Sequence, residues 1–150
     1  MFYPDNDLAC SCCEEIRFHA VDDNRSAGFL ECDASRIAVQ FAQEPQPHLT
    51  FYPPLRLPDD VDAGCSFLNA CLSEGDERWF DFEFSPVSGQ VSWRRDLPVA
   101  KPEKIDEALR DARVFFNECW PWLEATVARC GIPRKRRSAW RRFLDSFAEV

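Results

Sequence analysis

Glycine, histidine and methionine are scarce in this 150-residue chain, at 5, 2 and 1. Five scattered glycines leave no Gly-rich loop whose backbone N–H groups would cradle a phosphate. The two histidines, His19 and His48, have no Ser, Cys or Asp set beside them in sequence, so no nucleophile or acid-base pair is recognisable. No run approaches the roughly 18 apolar residues of a membrane span. The opening MFYPDNDLAC places acids where a secretory signal has basic residues and then an apolar stretch. These absences point to a cytoplasmic chain that is not an enzyme and carries no cofactor.

What is abundant argues for a folded core. Hydrophobic residues make up 45% and aromatics 13%, with 13 Phe and 5 Trp among them, and each buried aromatic removes a large apolar area from water. Eight cysteines (10, 12, 13, 32, 65, 71, 119 and 130) would suit a disulfide framework in an exported protein. With no export signal the expectation is reduced thiols, and Cys65, Cys71 and Cys119, set among Phe, Leu and Trp, read as core residues.

The net charge of −8 is unevenly spread. Residues 134–150 carry six Lys/Arg against Asp145 and Glu149, a net +4, so the rest of the chain carries −12. An acidic body repels phosphates and argues against general nucleic-acid binding.

Periodicity gives an order of elements. Residues 5–18 place Leu8, Cys12 and Ile16 four apart and suggest a short helix. Ile37, Val39 and Phe41 alternate, as do Leu49 and Phe51; with Phe29–Cys32 they predict an antiparallel three-stranded meander. Asp59 and Asp60 offer an N-cap to a helix over 61–73, with Val61, Cys65, Leu68 and Leu72 as its buried stripe, flanked by Phe67 and Cys71. Phe80, Phe82 and Phe84 alternate strictly with polar neighbours, and Ser85–Gly89 turns the chain into Val91–Arg95, a hairpin. Arg94 or Arg95 would pair there with Asp81 or Glu83. Pro102–Glu103 opens the longest helix, whose stripe is Ile105, Leu109, Ala112, Phe116, Cys119, Leu123 and Val127, flanked by Phe115 and Trp120. Pro121 should kink it, and Gly131 and Pro133 should close it.

The predicted fold is therefore α+β: an antiparallel five-stranded sheet with helices on one face, in the order α-β-β-β-α-β-β-α, plus a C-terminal amphipathic helix. Residues 1–131 make one domain, in which 1–25 has the weakest pattern, and 132–150 make the basic amphipathic C-terminal helix.

From about residue 28 to 127 this order resembles the YbjN family, bacterial proteins often labelled sensory transduction regulators, whose fold is similar to that of type III secretion chaperones. The residues that carry the resemblance are Phe67-Leu68-Asn69, Phe80-Asp81-Phe82-Glu83-Phe84, the turn to Val91, Arg95-Asp96-Leu97-Pro98, and Trp120-Pro121-Trp122-Leu123. The family often has a second Asn three residues after the first, where this chain has Leu72. Its Cys-rich start and basic tail also depart from the pattern. The resemblance implies a small protein-binding or chaperone-like module, frequently a homodimer, with no catalytic residues to carry over.

Two stretches are candidate sites. Cys10, Cys12 and Cys13, with His19 nearby, are the only dense group of soft ligands. Their C-x-C-C spacing does not make a zinc knuckle, and the alternative they support is a cysteine-dependent metal-binding or redox protein. Asp59, Asp60 and Asp62 are accounted for by helix capping. The second stretch is the tail. Trp140, Phe143, Leu144 and Phe147 fall at i, i+3, i+4 and i+7, one face of a helix, among the basic Arg136, Arg137 and Arg141. Read as a separate helix, the tail has its basic end first and its acidic end last, opposed to the helix dipole, which favours some other negative surface as the reason for the charges. That surface is this chain's own acidic body or its dimer mate, a partner protein taken helix-in-groove, or an anionic membrane or nucleic-acid surface.

Overall fold

The structure, a computed structural model, describes residues 16–58 and 60–148, with the backbone alone for 131–148. Six strands, β1 (His19–Ala20), β2 (Arg25–Glu31), β3 (Arg36–Ala42), β4 (His48–Tyr52), β5 (Phe82–Phe84) and β6 (Val91–Asp96), join two helices, α1 (Val61–Leu72) and α2 (Pro102–Ala148), and a 3-10 turn at Glu77–Asp81. The strands form one antiparallel sheet in the order β1-β2-β3-β4-β6-β5.

The α+β class and the antiparallel sheet agree with the sequence reading, but six strands replace five and no helix precedes them among the described residues. The proposed helix over 5–18 lies outside the described residues except for its end, where Ile16–Phe18 is irregular chain running into β1. Ile16 and Phe18 are buried while Arg17 and His19 are exposed. That alternation is the period of extended backbone, and it overrides the weak four-residue spacing.

Both helices lie on one face of the sheet. Phe82, Trp93 and Phe51 stand opposite one another across β5, β6 and β4 and so share a face. Phe67 of α1 packs on Phe82 at 5.8 Å, and Phe116 of α2 packs on Phe51 at 5.9 Å. Every member of the stripe expected for α2, from Ile105 to Val127 with Phe115 and Trp120, is buried. Among the described residues one core cluster runs from Ile16 to Cys130.

Four expectations are corrected. The first concerns α1, which buries Ala63, Gly64, Phe67 and Cys71 and leaves Val61, Cys65 and Leu72 exposed. Phe67 offers the largest apolar area and takes the core, and Gly64 lets the helix close on β5: a Cβ there would lie 1.8 Å from the Phe84 ring. Asp60 does cap this helix, accepting from the Asp62 N–H at 3.1 Å.

The second concerns Phe80, which is 50% exposed while Trp79 is buried. Asp76 accepts from the Arg78 N–H at 3.0 Å and starts a 3-10 turn. Residues three apart eclipse in such a turn, so Trp79 and Phe82 share a side and stack at 5.6 Å. Alternation begins only at Phe82.

Third, Arg94 pairs with Asp96 at 2.9 Å and Arg95 with Asp111 of α2 at 3.2 Å, rather than with Asp81 or Glu83. The register explains it: Glu83 faces Ser92 and Phe82 faces Trp93, so β5 ends before it reaches either arginine. The hairpin turn itself holds, with Gly89 at φ +73, a conformation that favours glycine.

Fourth, α2 does not stop at Gly131 or Pro133 but continues to Ala148. The tail is thus a continuation of the core helix. Arg134–Arg137 then lie in a helix interior, where the dipole argument made for a separate tail helix does not apply.

Candidate functional site

The sheet's second face has no described helix on it. Cross-strand register puts His19, Ala27, Gln40, Thr50 and Arg94 in one row, and Phe29, Ala38, Tyr52, Ser92 and Glu83 in the next. At the β1 end a cleft of about 620 Å³ is lined by Ile16, Arg17, His19, Ala27, Gly28, Phe29, Arg36 and Ala38. Its floor is apolar and built from small residues. Phe29, 53% exposed, is covered on one side by the Arg36 guanidinium at 4.8 Å, which also pairs with Glu31. Alternation in β2 and β3 put Phe29 and Ala38 opposite the core residues Leu30 and Ile37. The facing of Phe29 on Ala38, however, depends on a register that one strand alone cannot supply.

His19 thus stands on the open sheet face. Cys10, Cys12 and Cys13 lie outside the described residues. Among the described residues no group of three or more His, Cys, Asp or Glu is placed to hold a metal ion. His48, on β4, has its Nδ1 2.8 Å from the Gln46 carbonyl; a carbonyl only accepts, so Nδ1–H donates in this contact. Asp59 lies outside the described residues.

The remaining thiols are built into the core or beside it. Cys71, Cys119 and Cys130 are buried and Cys65 is exposed, so Cys65 is not the core residue it was expected to be. Burial pushes Cys71 and Cys119 up to about 12 and Cys32 up to about 11. A nucleophilic cysteine needs the opposite shift, because the thiolate is the reactive form. Asp81 is raised as well, by burial first and by the Asp96 carboxylate second.

The tail residues Arg136, Arg137, Trp140, Arg141, Phe143, Leu144 and Phe147 all lie on the last third of α2, with helical backbone. The core stripe ahead of them is anchored at several points. The Asn117 side-chain oxygen accepts from the Asp33 N–H at 2.8 Å, and Arg113 donates to the Glu31 carbonyl at 3.0 Å. Both bonds tie α2 to the turn between β2 and β3. No helix among the described residues is long and apolar enough to cross a membrane.

No family model, curated protein or solved structure matches this chain. The YbjN likeness therefore rests on the residues quoted for it, and function has to be argued from the site.

Proposed function

We propose that this chain is a cytoplasmic, non-enzymatic protein-binding module, chaperone-like or regulatory in the sense the YbjN likeness implies. It acts as a homodimer and engages its partner through Arg136, Arg137, Trp140, Arg141, Phe143, Leu144 and Phe147.

The observation that carries this reading is the continuity of α2. Its helical backbone runs unbroken from Pro102, past the buried Cys130, to Ala148. An apolar stripe flanked by arginines on a helix tied to a folded body is the arrangement by which amphipathic helices enter partner grooves. The cleft on the open sheet face is a second surface of the same module.

Affinity capture from the native host, comparing the full chain with a truncation after Gly131, tests the reading. Proteins held by the full chain and released by the truncation are the expected result. Identical sets from both, or none from either, would sink it.

A further inference from the structure

We infer that the outward face of α1, carrying Val61, Cys65, Leu68 and Leu72, pairs antiparallel with the same face of a second copy, about a two-fold axis between Ser66 and Phe67. The inference supplies the contact for the homodimer proposed above and rests on that part of the reading.

The helix has two apolar faces, and the chain itself buries only one. Ala63, Gly64, Phe67 and Cys71 are buried. Val61, Cys65, Leu68 and Leu72 follow at i, i+4, i+7 and i+11, within about 60° of one another at 3.6 residues per turn. This second face is centred roughly a third of a turn from the first. Val61 is 61% exposed, Leu72 is 54% exposed, Cys65 is exposed, and Leu68 is half-buried at the edge of the core. The polar Asp62 and Ser66 are more covered than the Val61 and Cys65 beside them, the reverse of an ordinary surface helix.

Charge favours a second copy as the cover. Asp62 is the one charged residue among the 12 of α1, where the whole chain has 29% charged residues. Depletion of charge is the mark of a contact centre. A chain of net −8 repels its own copies, so two of them meet best through a face without charge.

The spacing of the stripe supplies the symmetry and the direction. About the midpoint of 66 and 67, Val61 exchanges with Leu72 and Cys65 with Leu68, so the stripe maps onto itself. Such a patch closes a two-fold contact in which residue i faces j and j faces i. Every contact of the antiparallel pair then sets a leucine against a smaller side chain, the arrangement that interdigitates. A parallel pair would set leucine on leucine at one end and leave the smaller residues facing each other at the other. Antiparallel helices also place each N-terminus beside the other's C-terminus, as their dipoles favour. One helix of about 18 Å per copy makes a smaller contact than the roughly 1,200 Å² of a stable complex, so the dimer is weak and forms with rising concentration.

Sedimentation velocity of the full chain under reducing conditions, at concentrations up to about 1 mM, is the first measurement. The chain should dimerise. Cys65→Arg and Leu72→Lys should each weaken the dimer by about tenfold or more, with thermal unfolding unchanged because both side chains are exposed in the single chain. Disulfide trapping reads the direction, using Val61→Cys and Leu72→Cys, each in a chain with Cys10, Cys12, Cys13 and Cys65 replaced by Ser. Oxidising a mixture of the two should give covalent dimers, because residue 61 faces residue 72. Oxidising either alone should give none, because its two copies lie about 17 Å apart along the axis, beyond the reach of a disulfide. Covalent dimers from either variant alone would reveal a parallel pair and overturn the proposal. So would a wild-type monomer, no covalent dimer from the mixture, or a dimer indifferent to both α1 substitutions. If self-association fails while the tail still captures another protein, this inference falls and the binding-module reading stands without its homodimer.

Discussion

The indole of Trp93 on β6 lies stacked on the Phe115 ring of α2, with centroids 5.0 Å apart and 22° between planes. The same indole donates its N–H to the Arg78 carbonyl at 2.7 Å. One side chain thus joins the sheet, the long helix and the 3-10 turn. Phe51, Phe82 and Phe116 close around it at 5.3–6.4 Å.

Replacing Trp93 separates its two roles. Trp93→Ala should cost about 3–5 kcal/mol through the cavity it leaves. Trp93→Phe keeps a ring against Phe115 but removes the donor to Arg78, and should cost less, though above the roughly 0.5–1.5 kcal/mol of a hydrogen bond alone because the ring is also smaller. Urea unfolding of both variants checks the ranking; equal losses would mean that a ring at this position restores nothing and that the lost hydrogen bond dominates.

Gly64 is held by steric necessity. Gly64→Ala sets a methyl 1.8 Å from the Phe84 ring and should destabilise by about 1–3 kcal/mol, the usual range for overpacking. In a Phe84→Ala background the same change should cost little or nothing. A double-mutant cycle reads the coupling, and additive losses would show that the contact is not what limits residue 64.

The buried thiols make stability depend on alkaline pH. A thiol is charged only when it loses its proton, so burial favours the neutral form in the folded chain. Below the ordinary value of 9.0 both states keep the proton, and Cys71 and Cys119 contribute no pH dependence. Above it the unfolded chain ionises first, and stability falls until the folded value of about 12 is reached. Unfolding midpoints between pH 8 and about 10.5 should therefore decline less steeply in a Cys71→Ala, Cys119→Ala double variant. At neutral pH a thiol reagent should modify the exposed Cys65 well before either buried residue.

Asp76 gives the acid counterpart. Its carboxylate accepts from the Arg78 side chain at 2.8 Å and from the Arg78 N–H, and the guanidinium contact first, then the backbone bond, holds it below the ordinary 3.8. A depressed carboxylate adds stability above 3.8 that disappears as pH falls through the folded value. Asp76→Ala should therefore lower the unfolding midpoint at neutral pH, by a margin that shrinks in acid. Thermal melts of both proteins from pH 7 to about 2.5 measure it, and a constant margin would contradict the cap.

Alternation and stripe were legible wherever a segment had one dominant apolar face. Ile37, Val39 and Phe41 in β3, Leu49 and Phe51 in β4, and the α2 series from Ile105 to Val127 all fall where their spacing puts them. The reading failed where two faces competed. In α1, the aliphatic series through Val61 and Leu72 lost to the one through Gly64 and Phe67, because a glycine's value lies in what approaches it. At Trp79–Phe84 a three-residue turn set by Asp76 overrode a run that looked strictly alternating. The tail's apolar face was plain from its spacing, but its continuity with α2 was not. Gly131 and Pro133 are ordinary stop signals, and an interior proline costs a helix about 3 kcal/mol. The cleft beside Phe29 was out of reach for a different reason, since it is made by register between strands.

Sheet order also carries a consequence in time. β1 to β4 are complete by Tyr52, yet Phe116, which packs on Phe51 of their apolar face, lies more than 60 residues further along the chain. At the usual synthesis rate of about 5–20 residues per second, that face waits about 3–13 s for its cover. β6, which must slot between β4 and β5, also emerges after both of them. During every round of translation, Ile37, Val39, Phe41, Leu49 and Phe51 pass through an interval in which their burial depends on chain that has not yet been made.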